Sequence, residues 1–163
     1  MSISEGASLP NAQLARLGDA GPETVDLNDY IKGRRVILFG LPGAFTGTCS
    51  TIHLPSFIAT ADEFAEQGVD EIICVSVNDP FVMKAWAEAS GADAAGITLL
   101  ADADAAFTKA IGMNFTVPAI GFFDRSNRYA AIVEDGIVTH VNVDEPNTCN
   151  VSTGQSLLER LAA

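Results

Sequence analysis

Residues 36–41 form an unbroken apolar run, Val-Ile-Leu-Phe-Gly-Leu, closed by Pro42-Gly43. Such a run, with no polar alternation, is the pattern of a strand buried on both faces that feeds a loop. Residues 72–77 repeat the pattern. Between the two, Ile52, Phe57, Ala61 and Phe64 recur among the charges of Asp62, Glu63 and Glu66. That spacing predicts a helix beginning near Cys49 and stopping at Gly68. Pro55 falls inside its start and, having no N–H, should kink the helix or delay its regular part. Asn78-Asp79-Pro80 then supplies a cap and a first-turn proline for a helix over 81–90 that Gly91 closes.

A weaker strand is expected over 97–101, followed by a short helix over 104–111 stopped at Gly112, and by a strand over 119–124 introduced by Val117-Pro118. The clearest hairpin joins 129–134 to 137–143 through Asp135-Gly136, because Asp-Gly suits the positive φ angles of a tight turn. An amphipathic helix over 156–161 ends the chain. Together these elements predict an α/β fold, a mixed sheet with helices on both faces, spanning residues 1–163 as one domain.

The chain holds 48% hydrophobic and 18% charged residues, enough apolar surface for a core. Nine Lys and Arg against 21 Asp and Glu give a net charge of −12, and with no basic run, nucleic acid is excluded as a partner. The apolar runs are strand-sized, which excludes a bilayer span. The first nine residues show neither a secretory nor a transit pattern. Cys49, Cys74 and Cys149 are an odd number, which fits a reducing compartment better than a disulfide framework. A soluble, cytoplasmic protein is the expectation.

The loop-to-helix junction puts Cys49 where unpaired N–H groups and the helix macrodipole stabilise a thiolate. A buried cysteine serving as a small hydrophobe would occupy the same position. The stretch Pro42-Gly43-Ala44-Phe45-Thr46-Gly47-Thr48-Cys49 goes further, because Pro42, Thr46 and Cys49 match Pro-x-x-x-Thr-x-x-Cys. This resembles the active-site signature of the peroxiredoxins. The continuation through His53-Leu54-Pro55, residues 69–86, and the segments Arg128-Tyr129 and 134–138 are similar to their type 5 branch, called type II in plants.

The resemblance implies a thioredoxin-like fold and reduction of hydrogen peroxide and alkyl hydroperoxides by Cys49 without metal, flavin or haem. Thr46 would offer its hydroxyl to the sulfur and the peroxide, Pro42 would roof the pocket, and Arg128 would correspond to the family's arginine, with Arg125 close by as a competitor. His53 either tunes the thiol or fixes the local structure. Trp86 and Phe81 read as core or subunit contacts, and His140 as structural.

Resetting the Cys49 sulfenic acid needs a second thiol. Cys74 and Cys149 match the resolving positions of plant and animal relatives respectively, and a one-cysteine cycle reset by glutathione or glutaredoxin stands beside a thioredoxin-dependent one. The family also suggests a homodimer. A peroxide sensor or thiol relay that hands its oxidation to a partner would use the same activated cysteine.

Overall fold

The computed structural model describes residues 3–162. Its main sheet has seven strands in the order β2-β1-β5-β4-β3-β8-β9. They are β1 (Gln13–Gly18), β2 (Gly21–Asp26), β3 (Arg35–Gly40), β4 (Glu71–Ser76), β5 (Thr98–Ala101), β8 (Tyr129–Glu134) and β9 (Ile137–Val143). β3, β4 and β5 run parallel, while β8 pairs antiparallel with β3, and the remaining strands join antiparallel at the two edges.

The unbroken apolar runs are explained by burial on both faces. On β3, Ile37 and Phe39 face one core with α2 (Leu54–Glu66), α3 (Pro80–Ser90) and α5 (Gly154–Ala162). Val36 and Leu38 face the other, which holds Leu27 and Ile31 of α1 (Leu27–Ile31) and Phe107 of α4 (Ala106–Ala110). The predicted α/β fold is therefore found, and Asp135-Gly136 turns the β8–β9 hairpin at φ 48° and 78°.

Two expectations need correction, and part of the fold was not expected. The helix expected over 104–111 begins only at Ala106, because Ala105 adopts φ 62° and Asp102, not Asp104, accepts from the amides of Phe107 and Thr108. The strand expected over 119–124 begins only at Phe122. Pro118–Ile120 forms a 3₁₀ turn instead, and Gly121 at φ 75° releases the chain into β7 (Phe122–Ser126). β7 also stays outside the main sheet, pairing only with β6 (Asn114–Val117). Finally, the β1–β2 hairpin has no counterpart in the reading of the sequence.

Candidate active site

Pro55 governs the start of α2. A π-helical turn, Cys49–His53, precedes the α-helix, and the Leu54 N–H reaches five residues back to the Cys49 carbonyl. Proline has no N–H to give, so it sits in the first turn of the regular helix that follows. The expected delay is thus met by a wide turn, a feature that recurs at functional sites. Cys49 and His53 both lie on this turn with no exposed surface.

The loop from β3 to this turn is held at several points. Arg125 Nη1 on β7 donates to the Pro42 carbonyl at 3.0 Å, and Asn78 Oδ1 beyond β4 accepts from the Ala44 amide at 3.0 Å. Thr46 Oγ1 donates to the Gly43 carbonyl at 2.7 Å, which leaves its lone pairs to accept. Phe45 sits at φ 63°, a conformation bulky residues rarely adopt, with its ring 6.5 Å from that of Trp86. Trp86 is core and donates to Ser50 Oγ at 3.0 Å.

Arg128 precedes β8 and shares a face with Ala130 and Ile132, the face that packs on α2. Its Nη2 therefore reaches Cys49 Sγ at 3.4 Å, while Nη1 lies 3.0 Å from His53 Nδ1. Arg125 takes the separate role of loop anchor, and packs 4.9 Å over the Phe122 ring. His53 Nε2 lies 2.9 Å from the Ser152 carbonyl. Burial first, and then the positive charge of Arg128, lower the His53 pKa to about 3.

A cleft of about 660 Å³ opens beside this cluster. Pro42, Thr46, Thr48 and Arg128 line it, together with the apolar Phe115, Val117, Ile120 and Phe122 and residues 144–148. Asp144 closes the segment 144–152 on itself, accepting from the amides of Asn150, Val151 and Ser152 and from the Ser152 hydroxyl. Burial raises its pKa, but these bonds outweigh burial and leave it below the ordinary value.

Three free thiols result. Cys74, wholly buried on β4, has its pKa pushed well up by burial, with the neighbouring Cys49 adding to it. Cys149 is half-buried in the clasped segment, and burial raises its thiol as well. His140 lies on β9, where its Nδ1 accepts from Arg160 at 3.1 Å. Phe81 is 59% exposed, so it is no core residue. No three His, Cys, Asp or Glu side chains converge as a metal site among the described residues.

The sequence thus indicated Pro42, Thr46, Cys49, His53 and Arg128, which the fold gathers at one place. It named Arg125 only as a competitor of Arg128, not as an anchor of the loop, and did not point to Ser152 or Asp144. For Arg125 the only signal was its nearness to Arg128, and for Asp144 and Ser152 there was none.

The Redoxin family model matches residues 4–158. Chloroplastic peroxiredoxin-2E-2 of Oryza sativa subsp. japonica is 42% identical over 164 residues, covering 98% of this chain and 73% of its own. Mitochondrial peroxiredoxin-2F of Arabidopsis thaliana is also 42% identical, with 98% and 80% covered. Among solved structures, reduced Prx3 of Vibrio vulnificus in complex with hydrogen peroxide superposes at TM-score 0.93 with 45% identity, covering 98% of this chain and 99% of that one. Peroxiredoxin 5 of Alvinella pompejana gives 0.85 at 31% identity, with 98% of each chain covered. Their fold is the one built up above, and the chain belongs to the peroxiredoxins, thiol peroxidases of thioredoxin-like fold, in company with their type II and type 5 members.

Proposed function

We propose that Cys49 is the peroxidatic cysteine and that Arg128, Thr46 and Pro42 complete the catalytic site. The observation that carries this reading is the 3.4 Å contact of a buried guanidinium with the Cys49 sulfur. A fixed cation beside a sulfur favours its thiolate form. The thiolate attacks one peroxide oxygen, the O–O bond breaks, and its electron pair leaves with the second oxygen as hydroxide or alkoxide, which takes up a proton to become water or alcohol. Sulfur is oxidised to sulfenic acid and the peroxide is reduced. Arg128 offers donors toward the departing oxygen, and the Thr46 hydroxyl, already donating to Gly43, is free to accept from the peroxide. The apolar lining of Phe115, Val117, Ile120 and Phe122 suits the carbon tail of an alkyl hydroperoxide.

An external thiol, of glutathione or glutaredoxin, then attacks the sulfenic sulfur, forming a mixed disulfide as the S–O bond breaks and water leaves, and a second thiol attacks that disulfide, is oxidised with the first and releases Cys49 reduced. Cys74 is walled into a central strand, and the Asp144 clasp holds the segment carrying Cys149. Both thiols are pushed away from the reactive thiolate by burial. A thioredoxin-dependent cycle through Cys149 is the second reading, favoured by that residue's partial exposure next to cleft residues 144–148. The exposed Phe45, Ile52 and Phe81, on the loop, the π turn and α3, support a homodimer whose contact lies beside the site. The odd cysteine count supports work in a reducing compartment, the cytoplasm.

Steady-state peroxide consumption separates these readings. With glutathione and glutaredoxin, Cys149→Ser and Cys74→Ser should turn over within about twofold of wild type per folded molecule, since neither thiol then takes part in the cycle. Loss of turnover in Cys149→Ser with thioredoxin, together with no turnover on glutathione by the wild type, would establish the internal cycle instead.

A further inference from the structure

Four residues, Arg128, His53, Ser152 and Asp144, form a closed circuit beside the reacting sulfur. The Arg128 side chain contacts Cys49 and His53, and His53 contacts the Ser152 carbonyl. The Ser152 amide and hydroxyl are held by Asp144, whose own amide donates to the Arg128 carbonyl at 3.0 Å. A second bond doubles the link, for Ser56 Oγ donates to the His53 carbonyl and accepts from the Gly154 amide at 2.9 Å.

The proton positions in this circuit follow from elementary chemistry. A guanidinium carries donors only, so the His53 Nδ1 facing Arg128 at 3.0 Å must be the bare, accepting nitrogen. The neutral ring then keeps its proton on Nε2, which is 2.9 Å from a carbonyl that can only accept. Protonating Nδ1 would set N–H against N–H and cation against cation. The ring is also wholly buried against the stacked pair of Phe39 and Phe57, at 5.0 and 5.6 Å between centroids, an apolar setting that disfavours a second charge. Arg128, at the start of β8, and Asp144, after β9, are the charged groups acting on it, with Cys49 on its own turn. Asp144 alone among the first two favours the imidazolium and is outweighed.

We infer that His53 is a positioning residue for Arg128: its bare Nδ1 holds the guanidinium against the Cys49 sulfur, while Nε2–H anchors the ring to the segment that Asp144 clasps. The inference rests on the reading of Cys49 as the reacting thiol. With Nδ1 occupied by Arg128 and Nε2 by Ser152, His53 has no lone pair to take a proton from the thiol, so it acts through Arg128 and not as a base. Arg128 in turn has its plane fixed by two different partners on its two terminal nitrogens. A guanidinium held in advance loses little freedom on meeting the developing oxyanion.

Three substitutions dissect the two nitrogens. His53→Asn keeps an accepting oxygen near the Nδ1 position, His53→Gln keeps an N–H near Nε2, and His53→Leu keeps neither. Two rates are followed by mass spectrometry of the Cys49 peptide: alkylation by iodoacetamide across pH, and oxidation by hydrogen peroxide. The Asn variant should stay within about threefold of wild type in both, whereas Gln and Leu should be slower by about tenfold or more, with alkylation shifted to higher pH. Rapid Gln beside slow Asn, or wild-type rates in all three, would overturn the assignment.

Because these variants could fold poorly, nitrogen-15 spectra of wild-type imidazoles give an independent reading. A bare Nδ1 and protonated Nε2, unchanged between about pH 5 and 8, is expected, and a titration of His53 within that range would overturn the assignment. A wild type that alkylates in the predicted order across the variants but ignores peroxide would overturn the peroxidase reading while supporting the positioning role.

Discussion

Cys49 and Cys74 lie in the same core on the same side of the sheet, and both are wholly buried. They differ in what touches them. Cys74 sits in register between Phe39 and Leu99 on neighbouring strands, and burial drives its thiol toward the protonated form. Cys49 occupies a π turn and meets the Arg128 guanidinium at 3.4 Å. Burial alone therefore makes an inert thiol, and burial against a fixed cation makes a candidate nucleophile.

The comparison breaks most sharply by exchange of the two thiols. Cys49→Ser should reduce peroxide consumption to the background rate, while Cys74→Ser should leave the peroxide rate constant near that of wild type, as measured by stopped flow. Removing the cation comes next. Arg128→Met should slow peroxide oxidation by about 10²- to 10³-fold, the typical loss for one preorganised donor. Arg128→Lys should recover only part of it, since an ammonium cannot hold His53 and Cys49 in one plane.

A smaller effect is read in stability. Native His53 refuses the proton that its unfolded counterpart binds below about pH 6.5, so the unfolded state carries more protons between there and about pH 3. Unfolding free energy therefore falls as pH falls through that window, by at most about 1.4 kcal/mol per pH unit. Denaturant melts from pH 7 to 4 should show this slope in wild type and a flatter one in His53→Asn. The smallest change is at Gly47, an unspecified position of the Pro-x-x-x-Thr-x-x-Cys pattern. No atom lies within 4 Å of a side chain built there, and its φ is not positive, so Gly47→Ala should raise stability by about 0.4–1 kcal/mol in thermal melts.

The two regions also differ in how far they could be read beforehand. The strand bearing Cys74 announced itself, because burial on both faces leaves an unmistakable apolar run. The π turn was half legible: Pro55 showed that regular helix must wait, but not that the wait would be a wide turn. Contacts across the site were not legible locally, since His53 meets Arg128 over 75 residues and Ser152 over 99. Arg128 was identified only through the peroxiredoxin resemblance, and Ser152 and Asp144 not at all. The β1–β2 hairpin escaped for a different reason, because at the sheet edge only Leu14 and Val25 of its strands are buried, which leaves no periodicity to find. Pro118 pointed to a strand start, yet Gly121 delayed it.

The central claim is that the cation-facing thiol, not either of its companions, takes the oxygen. The measurement that tests it most directly is intact mass with peptide mapping of the reduced protein after one equivalent of hydrogen peroxide, for wild type and Cys49→Ser. The account predicts one added oxygen on the Cys49 peptide, exchanged for a glutathione adduct when glutathione follows, and no oxygen on Cys49→Ser. Oxidation confined to Cys74 or Cys149 with Cys49 unmodified, or equal oxidation of Cys49→Ser, would contradict it.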